Sequence, residues 1–387
     1  MSNRANNFRP TVHGARLIED LATFASFGGR QDGGVDRVAG SQADLEAREW
    51  LQQKIYEAGL LPRTDEIGNV FGRSPRAEWP RLLTGSHTDT VPAGGRLDGA
   101  YGVMAALEVL RTLDEANHPS AKYVEIVGFW DEEGVRDPGT GGLVGSTFFC
   151  EKGYVQNYQS YIELHIEQGP ALESADVSIG VVAGIVGIER YAIDVTGTAN
   201  HAGTTAMNNR ADAGLAATTM ASRVRDTTTA CSDRLRINVG SIEFFPGSPN
   251  VIPGQARMIV EIRDPFDSVL REAEQKIRLL ADETAASEGC HASVQKFSQK
   301  SAVLFDKGIH RAIREIIHNH GGEFLDMVSY AGHDASVISK HIPTGMLFVP
   351  SVGGVSHSPA ESTSDKHLIH GCQVLLDAVV ALSSDRS

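Results

Sequence analysis

Disulfide chemistry, membrane spans and a cationic surface are all missing from this sequence. Only four cysteines occur in 387 residues (Cys150, Cys231, Cys290 and Cys372), with no paired spacing. That excludes a disulfide-stapled secreted scaffold and a cysteine-rich metal ribbon, and suits reduced thiols in a cytoplasmic protein. No apolar stretch approaches the roughly 20 residues that a spanning helix needs. The first residues, MSNRANNFRPTVHG, contain no apolar segment of secretory type. Basic residues are outnumbered, 35 against 49 acidic, for a net charge of −14. Nucleic acid and anionic membrane are therefore not expected partners, because both need a cationic face.

What is present is glycine (40 residues) and a hydrophobic fraction of 41%, ordinary for an α/β protein with many tight loops. The length exceeds what one core supports and predicts two domains. Ser41 is placed to cap a helix whose apolar positions, Ala47, Trp50, Leu51, Ile55 and Ala58, follow helical spacing until Gly59. Strands are expected at Asn69–Gly72, Arg81–Thr84 and Tyr123–Trp130, with a helix over Ala100–Leu113 and a later strand at Gly345–Pro350. Alternating strands and helices predict a mainly parallel sheet with helices on both faces. Side chains at the strand ends would then converge on one edge.

From about Glu189 the texture changes. Alternating strands (Tyr191–Thr196, Leu235–Glu243, Gln255–Ile262) are interleaved with helices at Arg210–Arg225 and Ser268–Glu288. That order predicts a two-layer α+β domain. The expected organisation is a catalytic domain, 1–188 and 306–387, interrupted by an inserted lid or dimerisation domain, 189–305.

Five separated segments each offer one metal ligand: His87, Asp98, Glu133, His165 and His357. Three imidazoles and two carboxylates suit zinc, manganese, cobalt or nickel better than calcium. His87 closes a strand, and Asp89 is placed to accept a hydrogen bond from its second ring nitrogen. Asp98, beside Gly99, has two oxygens and can bridge two ions. Glu132 and Glu133 follow a strand; in an extended segment their side chains diverge, so one can bind metal while Glu132 serves as general base. His165 sits in an alternating strand, on the face of Glu163 and Glu167. His357 lies in a tight loop, and His333-Asp334 reads as a supporting loop.

At these residues the sequence resembles the dinuclear-metal aminoacylase/carboxypeptidase superfamily. Within it, it is similar to the amidase, hydantoinase and carbamoylase branch, which holds N-carbamoyl-L-amino-acid hydrolases, β-ureidopropionases and allantoate amidohydrolases. The motifs are GSHTDTVPAGGRLDGAYGV from Gly85, DEEGVR from Asp131, ELHIEQGP from Glu163 and ANHAGTTAMNNRADA from Ala199. PGSPNVIPGQARMIVEIRD from Pro246, AGHDAS from Ala331 and FVPSVGGVSHSPAES from Phe348 complete the set. The resemblance implies two divalent ions per subunit, one on His87 and His165, the other on Glu133 and His357, bridged by Asp98. It implies Glu132 as base, His201 polarising the scissile carbonyl, Gln168 beside the scissile group, and Asn250 and Arg263 on a substrate carboxylate. A homodimer through the inserted domain is also implied.

Arg263 suits its role on physical grounds, since a guanidinium forks onto a carboxylate; a surface ion pair with Asp264 is the alternative. The expected reaction is hydrolysis of a linear ureido or amide C–N bond, with an N-carbamoyl-L-amino acid as substrate. Allantoate, a related ureide or an N-acyl amino acid are the alternatives, and a non-catalytic metal-binding sensor is a rival from another class. One departure bears on the substrate: relatives usually carry an aromatic after the arginine of the Glu-Glu-Gly segment. Here Arg136 leads into Asp137-Pro138-Gly139-Thr140-Gly141-Gly142.

Overall fold

The computed structural model describes residues 9–79, 81–136 and 141–384. The first part of the chain forms α1 (Gly14–Ser26), α2 (Gln42–Glu57), β1 (Leu61–Thr64), β2 (Val70–Arg73) and β3 (Arg81–His87). It continues through α3 (Ala100–Glu115), β4 (Val124–Phe129), α4 (Val144–Glu151), β5 (Tyr158–Ile166), α5 (Ala171–Ala175) and β6 (Gly180–Ile185). The middle comprises β7 (Gly187–Thr196), β8 (Asn200–His201), α6 (Ala213–Thr229), β9 (Arg236–Phe245) and β10 (Val251–Ile252). β11 (Gln255–Asp264), α7 (Asp267–Ser287) and β12 (His291–Lys300) complete it. The last part holds β13 (Val303–Leu304), α8 (Lys307–Asn319), β14 (Leu325–Ser329), α9 (Ala335–Ile338), β15 (Thr344–Val349) and α10 (Asp365–Ser384). Two compact units result, one from residues 1–184 with 304–387 and one from 185–303.

In the larger unit the sheet runs β1-β2-β4-β3-β5-β15-β6-β13, with β14 beside β6. Its centre, β4-β3-β5-β15, is parallel throughout, and the neighbours β2 and β6 pair with it antiparallel. Helices lie on both faces. Val124 and Ile126 of β4 and Ile162 and Leu164 of β5 join the core beneath α3 and α10. On the opposite parity, Phe71 and Phe129 stack with Phe149 of α4. Burial on both sides explains a difference from expectation: β5 does not alternate in exposure but is buried continuously from Tyr161 to Ile166. Ser41 caps α2 as expected, accepting the amide of Asp44.

The smaller unit is an antiparallel sheet, β12-β7-β11-β9, with its own core. β7 and β11 alternate buried and partly exposed side chains, so one face packs on α6 and α7 while the other is open. Met220 and Val224 of α6 and Ile277 and Leu280 of α7 fill that core with Tyr191, Ile193, Met258 and Val260. Among the described residues no helix is long and apolar enough to cross a membrane.

Candidate metal centre

Because β3, β4, β5 and β15 are parallel, their C-terminal ends share one edge of the sheet. His87 is the last residue of β3 and His165 lies one residue before the end of β5. Glu132 and Glu133 follow β4, and His357 follows β15. Asp98 arrives on the loop before α3 and sits at the centre. Its Oδ1 lies 3.1 Å from His165 Nε2 and 3.5 Å from His87 Nε2. Its Oδ2 lies 3.0 Å from His357 Nε2, and Glu133 Oε1 is 3.4 Å from that same nitrogen. The ligand atoms therefore fall into overlapping groups, His87–Asp98–His165 and Asp98–Glu133–His357, each within 4.8 Å. A third group, His87–Glu132–Glu133, brings in the expected base.

The imidazoles are in the right tautomer to ligate. His87 Nδ1 lies 3.1 Å from the Asp89 carbonyl oxygen and His165 Nδ1 lies 2.8 Å from that of Ile166. Each Nδ1 donates its proton there and leaves a lone pair on Nε2. His165 Nε2 accepts the Gly99 amide at 3.1 Å, which is that lone pair at work.

Backbone strain is concentrated here. Asp131 (φ 55°), Gln168 (φ 59°) and His357 (φ 51°) are non-glycine residues in the left-handed region, where side chains crowd the backbone. Gly99 (φ 63°) is there too, and a Cβ on it would overlap the His87 ring.

One local expectation is extended and another corrected. The Asp89 carboxylate is shared: Oδ1 lies 3.6 Å from His87 Nδ1 and also accepts the Glu132 amide at 3.0 Å, Oδ2 accepts the Glu133 amide at 3.2 Å, and the Asp89 backbone carbonyl lies closer still to His87 Nδ1, at 3.1 Å. Glu132 and Glu133, by contrast, do not diverge by being extended. The left-handed Asp131 turns the chain, and amides 143–145 bind the carbonyls of Glu132, Asp131 and Trp130 to hold the turn.

The packed charges perturb one another strongly. Burial opposes the Asp98 carboxylate, yet the adjacent imidazoles of His165, His357 and His87 outweigh it and hold its pKa well below the usual value. Burial pushes the Glu132 carboxyl well up, aided by Glu133, Asp334 and Asp89 against the pull of His87. Burial and Asp98 raise Glu133 to about 7. His357, hydrogen-bonded to Asp98, is raised to about 9. Uncompensated carboxylates this close are costly, and divalent cations are the natural counter-charge. Tautomers, donor types and charge all fit such ions.

His333, expected in a supporting loop with substrate contact as the alternative, is buried with its ring centroid 4.6 Å from that of His165, and its Nε2 lies 2.9 Å from Ser329 Oγ. Asp334 beside it is fully buried, and burial and Glu163 push its carboxyl to about 8. Gln168 donates from Nε2 to Asp98 Oδ2 (2.9 Å) and Ser356 Oγ (3.2 Å). Two residues with no assigned role also bear on the site. Arg37, fully buried, donates to the Thr88 carbonyl between His87 and Asp89 at 2.7 Å. Glu361 binds the amides of the loop that carries Asp98. An acid four residues after a candidate ligand histidine was the available signal for Glu361; none marks Arg37.

The other expected residues lie in the smaller unit. His201 is exposed and belongs to the two-residue strand β8, paired to Val251 of β10, next to Asn250. Its Nδ1 accepts the amides of Gly203 (3.0 Å) and Thr204 (3.2 Å), which puts the proton of the neutral ring on Nε2. Asn250 Oδ1 accepts from Ser248 Oγ at 2.6 Å. Arg263 pairs with Glu261 at 2.7 Å rather than with Asp264, which is buried and accepts the Phe266 amide at 2.9 Å. Asp137 to Thr140, the start of the glycine-rich departure, lie outside the described residues.

The fold and the edge cluster define a two-domain metallohydrolase. The pattern of peptidase family M20/M25/M40 matches residues 83–381, and the chain belongs to that family. It is 34% identical to the allantoate amidohydrolase of Bacillus subtilis, over 95% of this chain and 97% of that one. It is 32% identical to an N-carbamoyl-L-amino-acid amidohydrolase of Paenarthrobacter aurescens, over 94% of this chain and 96% of the relative. A crystal structure of a hydantoinase/carbamoylase family amidase from Burkholderia multivorans superposes with a TM-score of 0.90 at 33% identity. It covers 97% of this chain and 99% of that one.

Proposed function

We propose that this protein hydrolyses a ureido C–N bond in a small carboxylate-bearing substrate, an N-carbamoyl-L-amino acid, using two divalent ions per subunit. The observation that carries the reading is the meeting of His87, Asp98, Glu133, His165 and His357 at one sheet edge with Glu132 beside them. His87 and His165 would hold one ion, Glu133 and His357 the other, with Asp98 between them; zinc, manganese, cobalt and nickel all suit this donor set. When bound, such ions acidify the attacking water and polarise the carbonyl.

The residues supply the rest. Glu132, shielded from solvent, takes a proton from the attacking water and returns it to the leaving nitrogen. His201 Nε2–H donates to the oxyanion as charge develops on the carbonyl. Asn250 and Arg263 hold the substrate carboxylate, the guanidinium through paired hydrogen bonds, and Gln168 orients the scissile group. The products are an amino acid, carbon dioxide and ammonia. A homodimer through the smaller unit is part of this proposal, supported by the sheet-edge strand β9 with its exposed Phe244 and Phe245. A cytoplasmic location is supported by the four unpaired cysteines.

The likeness to the Bacillus subtilis relative favours a second reading, allantoate as substrate. Metal-loaded protein offered N-carbamoyl, N-formyl and N-acetyl amino acids and allantoate, with ammonia and amine release both followed, decides between them. No turnover of any of the four ends the proposal. Glu132→Gln should lower kcat by about 10²–10⁴-fold with metal content unchanged; near-normal turnover would remove Glu132 from the base role.

A further inference from the structure

Glu361 belongs to neither ligand set, yet it is only 4% exposed and sits where the loops of the site meet. Its Oε1 accepts the amides of Leu97 (2.9 Å) and Asp98 (3.1 Å). Its Oε2 accepts the hydroxyl of Ser356 at 2.8 Å. Ser356 Oγ in turn accepts from Gln168 Nε2 (3.2 Å), which also donates to Asp98 Oδ2 (2.9 Å). The ring closes on itself: Asp98 amide, Glu361, Ser356, Gln168, Asp98 carboxylate. It joins three chain segments distant in sequence, each bearing a ligand: the loop with Asp98, the end of β5 just past His165, and the loop with His357.

We propose that Glu361 is a positioning residue for the metal centre, buckling the His357 loop to the Asp98 loop and so setting occupancy of the Asp98–Glu133–His357 site. This rests on the two-ion reading above. The asymmetry between sites follows from what holds each ligand. His87 and His165 are 2% and 1% exposed and anchored in central strands. The His357 side chain is 50% exposed on a left-handed loop residue, with Ser356 adjacent to it in the buckle. Removing the carboxylate leaves two buried amides and a hydroxyl without an acceptor, and the loop with His357 is the part free to relax. Gly95 fits the same picture. A Cβ there would overlap the Glu361 carboxylate, so the loop admits Glu361 only because residue 95 has no side chain.

Cobalt titration of the metal-free full-length protein tests this, with visible absorption and calorimetry reporting each ion. Wild type should take two Co²⁺ per chain. Glu361→Ala should weaken the second by about 10–100-fold, the usual effect of removing a residue that orients ligands, and the first by less than about threefold. Saturating Co²⁺ should restore most of kcat with KM unchanged, which loss of a catalytic group would not allow. Gly95→Ala displaces the carboxylate while leaving Glu361 in place. It should reproduce the defect alone and add nothing in the Glu361→Ala background. Unchanged Co²⁺ affinity in Glu361→Ala, equal weakening of both ions, or an additive Gly95→Ala effect overturns the proposal. Fewer than two Co²⁺ in wild type overturns the two-ion reading, and this inference with it.

Discussion

Replacing Asp89 by asparagine isolates what one buried carboxylate does for the two glutamates of the site. Asp89 is 1% exposed, so solvent does not screen its interactions. Each of its oxygens accepts one amide, Glu132 at 3.0 Å and Glu133 at 3.2 Å. Asparagine keeps one acceptor and turns an NH₂ towards the other amide. The loss is one charge-assisted hydrogen bond, about 1.5–3 kcal/mol, with a buried donor left unpaired. The disturbed segment is the one bearing the base, so the loss should appear in the rate. At 1.36 kcal/mol per factor of ten, kcat falls about ten- to a hundredfold. His87 keeps its tautomer, because its Nδ1 is held by the Asp89 backbone carbonyl, which the substitution does not touch. Steady-state kinetics together with metal analysis should therefore show a lower kcat, little change in KM and two ions still bound. Wild-type kcat in Asp89→Asn would refute the reasoning. So would loss of the His87 ion ahead of loss of rate, since that would make the 3.6 Å approach to His87 Nδ1, rather than the glutamate amides, the main task of the carboxylate.

Metal affinity should rise with pH between about 6.5 and 9. The metal-free protein holds protons on Glu133 (raised to about 7) and His357 (raised to about 9) that ligation must displace. Calorimetry in buffers of different ionisation heat should show net proton release that is larger at pH 6.5 than at pH 9, where Glu133 has lost its proton and His357 about half of its own, and a pH-independent affinity would exclude this. The same raised values give a stability sign. Glu133, His357 and Asp334 (about 8) keep protons in the folded metal-free protein that the unfolded chain has released. Their contribution is complete below the unfolded pKa values and is lost as pH climbs through 7, 8 and 9. The thermal midpoint of the metal-free protein should thus fall over that range, and a flat or rising midpoint would contradict it. Gly102→Ala should destabilise by about 1–3 kcal/mol, because the added Cβ meets the Leu164 carbonyl and lies 2.7 Å from Ser86 Cβ where α3 crosses β3 and β5. A change below about 0.5 kcal/mol in a denaturant titration would show that α3 can shift to make room.

The candidate ligands that the structure brings together carry local signals in the sequence. His87 and the Glu132-Glu133 pair follow strand-like runs, His165 lies within one, glycine flanks Asp98, and His357 sits in a glycine-rich loop. The change of texture near Glu189 was legible because β7 and β11 alternate, as strands with one covered face must; β5 was expected to alternate as well, and only the tertiary structure shows it buried on both faces. Element ends moved by a few residues, as when the strand expected to stop at Thr84 runs to His87, since only sheet pairing decides where a strand ends.

Sequence by itself determined which atoms could ligate, because donor chemistry belongs to residue type and spacing. Tertiary structure alone decided which of those atoms meet and who supports them. Asp89 holds the glutamate amides as well as facing His87, an arrangement set by a left-handed turn at Asp131 that no local pattern announces. Arg37 and Glu361 act from 51 and 263 residues away along the chain, on Thr88 and Asp98 respectively. Parallel strands explain both outcomes: they place every ligand-bearing end on one edge, and they bring to that edge loops that the linear order keeps apart.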